Sequence, residues 1–138
     1  MPIKTRLTTQ GFSEYLEKVA RAGRDIDLVA DEALKAGGEI LLDGMQRRVP
    51  VGTAPHDPHP GNLKAHLELM GPVQDGNFHY VDVGLGKGTD ADTARYGNVQ
   101  EFSSATTPAQ PYVRPTLDSD MGKAKKAMRA IFERLGLV

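Results

Sequence analysis

Residues 50–61, Pro-Val-Gly-Thr-Ala-Pro-His-Asp-Pro-His-Pro-Gly, gather four of the chain's nine prolines into twelve positions. Proline fixes φ and removes a backbone donor, so neither a helix nor a central strand can run through such a stretch. The segment is therefore a loop that divides the chain into two differently patterned halves. A second cluster, Pro108-Ala-Gln-Pro-Tyr-Val-Arg-Pro115, marks another boundary. At 138 residues the length fits one domain. A chain of this size buries about 65–70% of its unfolded surface, enough for a modest core.

The half before the loop reads as helical. Phe12, Tyr15, Leu16 and Val19 recur at three- and four-residue spacing, with Thr8, Thr9 and Ser13 as candidate caps and Gly23 as a breaker. A longer stripe follows: Ile26, Val29, Ala30, Ala33, Leu34, Gly37, Ile40, Leu41 and Met45. Asp25 or Asp27 caps its start, Arg47 and Arg48 suit its C-terminal pole, and Pro50 ends it by disfavouring helical geometry at Val49. Gly37-Gly38 inside the stripe implies close approach of another backbone or a kink.

The second half alternates. Leu63, Ala65, Leu67 and Leu69 interleave with polar residues, a half-buried strand beginning at Asn62. After the Asp75-Gly-Asn turn, Phe78–Leu85 alternates again, so the two pair as an antiparallel hairpin. Residues 84–93 read as a loop, and Ala94–Phe102 fits either a short helix or an irregular strand. Pro111–Pro115 reads as extended. A final amphipathic helix follows, with Met121, Ala124, Met128, Ile131, Phe132 and Leu135 on one face, Asp118, Ser119 or Asp120 at its start and Gly136 at its end. The expected fold is α+β: long N-terminal helices, a small mainly antiparallel sheet and a C-terminal amphipathic helix. It is expected to form a single domain over 1–138, with 1–11 and 136–138 as loose ends.

Chemistry is weakly marked. With no cysteine, disulfides, thiol nucleophiles and Cys-based zinc sites are excluded, and a reducing compartment fits. No apolar run approaches a membrane span, and no secretory signal is expected from the first six residues. His56, Asp57 and His59 carry metal-ligating groups, but Pro58 and Pro60 hold them extended with no second cluster near in sequence, so no metal is assigned. Gly86-Lys-Gly-Thr89 lacks the spacing of a phosphate loop, and Asp90 with Asp92 lacks the other ligands of a calcium loop. Ser103, Ser104 and His79 are framed by no nucleophile motif. The chain is expected to be no enzyme, with no cofactor. A net charge of −1 gives no global pull on nucleic acid. The last helix is nonetheless basic, and Lys123, Lys125, Lys126, Arg129 and Arg134 support an alternative reading as a small nucleic-acid-binding domain.

Three motifs, in order, carry a resemblance. They are Arg47-Arg-Val-Pro50-Val followed by Gly61-Asn-Leu63-Lys; Tyr96-Gly-Asn-Val-Gln-Glu101-Phe102; and Pro108-Ala-Gln-Pro111-Tyr112-Val-Arg114-Pro115. Over residues 12–135 the chain resembles the minor tail-component or neck family of long-tailed bacteriophages. It departs at residues 52–60, where a His-Asp-Pro-His-Pro stretch replaces a shorter turn, and at Ser103, where the family pattern has glycine. The resemblance implies a virion protein of the head–tail junction, in neck or tail completion, working as a ring of identical subunits. Its implied partners are itself and other head–tail connector and tail proteins, with no membrane, and nucleic acid only through nearness to the DNA channel. Its implied location is the virion neck or tail, and the host bacterial cytoplasm during assembly. The motif residues Pro50, Gly61, Leu63, Tyr96, Glu101, Phe102, Pro111, Tyr112, Arg114 and Pro115 are expected to serve structure or an interface. Glu101 and Arg114 are the polar pair the motifs single out, expected to fix the local fold or a contact between subunits.

Overall fold

The computed structural model describes residues 3–51, 61–76, 78–105 and 108–134. Its elements run β1 (Lys4–Thr8), α1 (Ser13–Arg21), α2 (Ile26–Arg48), α3 (Asn62–Ala65), β2 (Leu67–Asp75), β3 (Phe78–Leu85), α4 (Ala91–Phe102) and α5 (Val113–Arg134). The fold is α+β, as the patterning implies.

The long helix α2 is the spine. Asp25 caps it, its carboxylate accepting the N–H groups of Asp27 at 3.0 Å and Leu28 at 3.2 Å. Val49 leaves the helix in extended geometry just before Pro50. The stripe read from the sequence is buried at Val29, Ala30, Ala33, Leu34, Gly37, Leu41 and Met45, whereas Ile26 is exposed. The glycine pair serves close approach. A Cβ at Gly37 would lie 2.9 Å from both Leu7 Cδ2 and Met128 Cγ and 3.1 Å from the Ala124 carbonyl. One face of α2 thus nests against α5, while Gly38 meets the sheet through Leu69 and Val81.

The sheet is antiparallel in the order β1-β3-β2. β3 is central; Leu7 pairs with Val81 and Leu69 with Val83 across it. A bulge between Met70 and Val73 accommodates Pro72, a residue that cannot donate to a ladder. The core continues into α1 through Val19 and through the rings of Phe12 and Tyr15 stacked near Phe132 of α5.

Six sequence expectations are corrected. No element was expected before residue 12, but Lys4–Thr8 form β1. That strand has one large apolar inward residue, Leu7, and pairing with β3 supplies what its pattern lacks. α1 starts after Phe12 without a side-chain cap, so Thr8, Thr9 and Ser13 do not cap it. Residues 62–65 form the helical turn α3 and not a strand; Leu63 and Leu67 are four apart, a spacing that suits a helix turn equally well. The 84–93 loop is shorter than expected, since β3 runs to Leu85 and α4 starts at Ala91, which also makes 94–102 helical. Residues 113–115 are not extended but open α5, so the third strand comes from the N-terminus instead. Asp118, Ser119 and Asp120 lie inside that helix and do not cap it. Leu135, Gly136 and Asn77 lie outside the described residues.

Candidate functional site

The three motifs meet where α3, α4 and the start of α5 pack together. Gly61 precedes α3 in the left-handed region, at φ 79°, and its N–H donates to the Val51 carbonyl at 2.6 Å. That single bond brings together the two ends of the proline-rich segment. In α3, Asn62 Nδ2 donates to Thr93 Oγ1 at 2.5 Å, and Leu63 is buried. Thr93 belongs to the first turn of α4, where Asp90 is the N-cap and accepts from both the Thr93 N–H and its hydroxyl.

Gly97, one turn along α4, sits at the centre. A Cβ there would come within 2.8 Å of Leu85 Cδ1, 2.9 Å of the Tyr112 hydroxyl and 3.1 Å of Leu63 Cδ1. Glycine at this position allows the first and third motifs to close on the second. Tyr112 is fully buried, and its hydroxyl donates to the Gly97 carbonyl at 3.3 Å. Burial, reinforced by the Glu101 charge, pushes the phenol well above its ordinary range, so it stays protonated as a donor.

Glu101 completes the arrangement. Its Oε1 accepts the N–H groups of Tyr112 at 2.8 Å and Val113 at 2.7 Å, and its Oε2 accepts that of Arg114 at 3.0 Å. These donors are the unsatisfied amides at the start of α5, where a negative charge also complements the helix dipole. A carboxylate eleven residues earlier in the chain therefore caps α5, and Gln110 N–H pins the connection by donating to the Gln100 carbonyl at 2.7 Å. Pro115 is tolerated in this first turn because its missing N–H would have no helical partner there.

Glu101 and Arg114 do not form a charge-assisted side-chain pair: Glu101 reaches only the Arg114 backbone amide. Among the described residues the Arg114 guanidinium forms no ion pair and is exposed. Of the other motif residues, Leu63, Gly97, Glu101 and Tyr112 converge, and Tyr96 packs against the core from α4. Gly61 holds the loop end and Pro50 terminates α2. Pro111 and Phe102 face solvent, Phe102 at 60% exposure.

Three charged clusters had no sequence signal because their partners are distant in the chain; in one, the buried His79 ring faces Asp31 through Nδ1 and Asp27 through Nε2, each at 3.0 Å. Asp120, on α5, is buried and accepts from Arg48 Nη1 at 2.7 Å, with Arg47 at 3.4 Å and Lys123 at 3.7 Å. The Arg48 hydrogen bond holds the Asp120 carboxyl below the usual carboxylate range. The same guanidinium nitrogen donates to the Gly44 carbonyl and to Thr116, tying α2 to α5. On the sheet, Arg6 makes a two-pronged contact with Asp82, at 2.8 and 3.2 Å, while its guanidinium lies 3.8 Å over the Tyr80 ring and Lys4 stands 3.3 Å from the same carboxylate. The Arg6 hydrogen bond lowers the Asp82 carboxyl.

Both carboxylate oxygens of Glu101 are already engaged by backbone amides, so this buried acid is committed to holding a helix. Among the described residues no group of three or more His, Cys, Asp or Glu side chains is placed to hold a metal ion. His56, Asp57 and His59 lie outside the described residues. Asp92 pairs with Arg95 at 2.8 Å, and Asp90 serves as a cap. In the basic helix Arg134 pairs with Glu32 and Lys123 approaches Asp120, which leaves Arg114, Lys125, Lys126 and Arg129 as exposed cations without an ion pair among the described residues. No helix among the described residues is long and apolar enough to cross a membrane.

A family model described as "Bacteriophage HK97-gp10, putative tail-component" matches residues 10–102, from the approach to α1 to the end of α4. No curated protein and no solved structure matches the chain. The matched span contains the first two motifs, with Gly97 and Glu101, while the third motif and α5 lie beyond it. On this match over more than half its length, the chain belongs to the HK97-gp10-like family of bacteriophage tail components.

Proposed function

We propose that this tail-family chain is a non-enzymatic structural subunit of the phage head–tail junction, acting in neck assembly or tail completion as a ring of identical copies that docks onto other head–tail connector and tail proteins. The observation that carries the reading is the use made of the motif residues. Gly97, Glu101 and Tyr112 are spent on joining α3, α4 and α5, and their polar atoms face one another or backbone amides. A site for chemistry needs a nucleophile or base with free valence facing a cleft; here the distinctive residues build a rigid brick. Exposed apolar side chains add support. Leu28, Phe78, Phe102, Val51 and Val73 are surface residues of a kind that assembly buries. A ring repeats each weak contact by symmetry, so modest interfaces suffice. The subunit works in the virion neck or tail and is assembled in the host bacterial cytoplasm; DNA meets it only where the ring borders the channel.

The test is the mass of the purified chain by native mass spectrometry, with electron microscopy of the same sample. The expected result is a closed ring with a central hole, formed alone or on addition of phage particles. A chain that stays monomeric at every concentration and binds no head or tail particle overturns the proposal.

A further inference from the structure

His79 is the one buried histidine among the described residues, at 5% exposure, and no part of the assembly proposed above uses it. It is the second residue of β3, and its ring lies between two carboxylates of α2. Asp27 and Asp31 stand one helical turn apart on the same side of that helix. Asp31 Oδ1 is 3.0 Å from Nδ1, and Asp27 Oδ1 is 3.0 Å from Nε2. The backbone of His79 is fixed as well. Its N–H donates to Thr9 Oγ1 at 3.2 Å, and its carbonyl accepts the Thr9 N–H at 3.1 Å. The ring therefore has a set position, and what it holds is the start of α2.

An ionised carboxylate offers acceptors only, and a neutral imidazole carries a single N–H. Both contacts are satisfied together only when both ring nitrogens carry protons. With one proton gone, a ring lone pair faces a carboxylate oxygen where little water reaches. The two acids, no longer separated by a cation, then repel each other across one helical turn. Among the described residues neither Asp27 nor Asp31 has a second ion-pair partner to offset this. Asp25 is turned to the helix amides. Opposite His79 on β2 stands Gln74, and beside it Thr9, both uncharged. Asp75 pairs with Phe78 one position along and alternates to the outer face of the sheet, away from the ring. The Asp27 and Asp31 side chains are 63% and 39% exposed, so a proton can reach the ring from solvent without unfolding of the chain.

We propose that His79 is a pH-responsive latch. With both ring nitrogens protonated it clamps the start of α2 to the end of the hairpin, and loss of one proton releases that corner. The corner carries exposed Ile26 and Leu28 on α2 and Phe78 on β3, so the proton sets how firmly these surface side chains are held in place. A group that gains partners in its protonated form stabilises the fold fully below its unfolded value, about 6.5 for histidine, and that contribution is lost as pH rises past the point where the folded ring gives up its proton. The latch belongs to the single subunit and does not depend on ring formation.

Three chains are melted at one fixed concentration from about pH 5.5 to about pH 8.5: wild type, His79→Gln and Asp27→Asn. Glutamine keeps one charge state over this range. Asparagine at 27 offers an N–H to an unprotonated ring nitrogen and an oxygen to a protonated one, so its contact survives loss of the proton. The other three histidines are common to all three chains. The wild-type melting temperature is expected to fall by about 3–5 °C relative to both variants across the range. In wild type labelled with heavy nitrogen at histidine, the ring signals that vanish in His79→Gln should report two protonated nitrogens at the low end and one at the high end. Parallel melting curves overturn the proposal, because a merely structural histidine sets a constant gap. A ring with one proton at the low end, or with two still at the high end, overturns it too. Should His79→Gln fail to fold, Asp27→Asn carries the test alone, since that side chain is largely exposed.

Discussion

Glu101 shows how one side chain can decide where a helix begins. Three backbone amides converge on its carboxylate, and all three belong to the first turn of α5 or the residue before it. Glu101→Ala leaves these buried donors without an acceptor and should destabilise the fold by about 3 kcal/mol. Glu101→Gln keeps one acceptor oxygen but turns an amide donor toward a backbone donor, and should cost about 2 kcal/mol. Urea unfolding of the two variants measures both, and the order Ala worse than Gln is the specific expectation. Ser103 is the second informative residue. It follows α4 at φ 73° and ψ 170°, a region close to glycine-only. Ser103→Gly relieves strain of about 1–3 kcal/mol and adds chain entropy to the unfolded state worth about 0.5–1 kcal/mol. A net gain of about 1 kcal/mol is expected, read as a higher melting temperature.

At the scale of elements, the α2–α5 contact carries both a steric and an electrostatic signature. Gly37→Ala adds helix propensity of about 1 kcal/mol, yet drives a Cβ against Leu7, Met128 and the Ala124 carbonyl. Gly122→Ala, on α5 with nothing within 4 Å of its Cβ, adds the same propensity freely. Thermal melts should show Gly122→Ala stabilised by about 0.5–1 kcal/mol and Gly37→Ala destabilised by about 1–2 kcal/mol. Asp120 supplies the pH dependence. Its folded-state carboxyl is lowered by the Arg48 hydrogen bond, so its contribution is fully present above the unfolded carboxylate value of about 3.9 and is lost as pH falls through the lower folded value. Stability measured downward from pH 5 should fall, and Asp120→Asn should flatten part of that fall, with Asp82 and the Thr93-bonded Asp90 contributing to the remainder. These contacts also mark what a linear reading can reach. The α2 stripe was legible because its period is local, and so was the hairpin from its alternation. The Arg48–Asp120 pair spans 72 residues, and no spacing rule connects its ends. Pro115 argued for an extended segment, since proline disfavours helix at the residue before it. The reading failed because Glu101, from a separate helix, offers acceptors that make a helical start at Val113 favourable. The motif residues themselves were visible in the sequence; that Leu63, Gly97 and Tyr112 touch one another was not.

For the whole molecule, the distribution of work between core and surface is the telling feature. Leu63, Gly97, Glu101 and Tyr112 sit in the interior, while the exposed apolar side chains lie at the α2 start, just past its end at Val51, on the outer sheet face and, with the motif residue Phe102, at the end of α4. In the proposed ring, a subunit of that kind would gain stability from its neighbours. Assembly linked to folding makes the melting temperature rise with protein concentration. Dilution across about two orders of magnitude should therefore lower it by several degrees, whereas a free-standing monomer would melt at one temperature throughout.

The hydrogen bond between the Val51 carbonyl and the Gly61 amide has a further consequence. It ties residue 51 to residue 61 through the backbone, so α2 and α3 are held independently of how many residues lie between those two positions. Closing entropy rises only logarithmically with span, about 0.6 kcal/mol for each doubling. Lengthening or trimming the chain between these two positions is expected to leave α2 and α3 as they are.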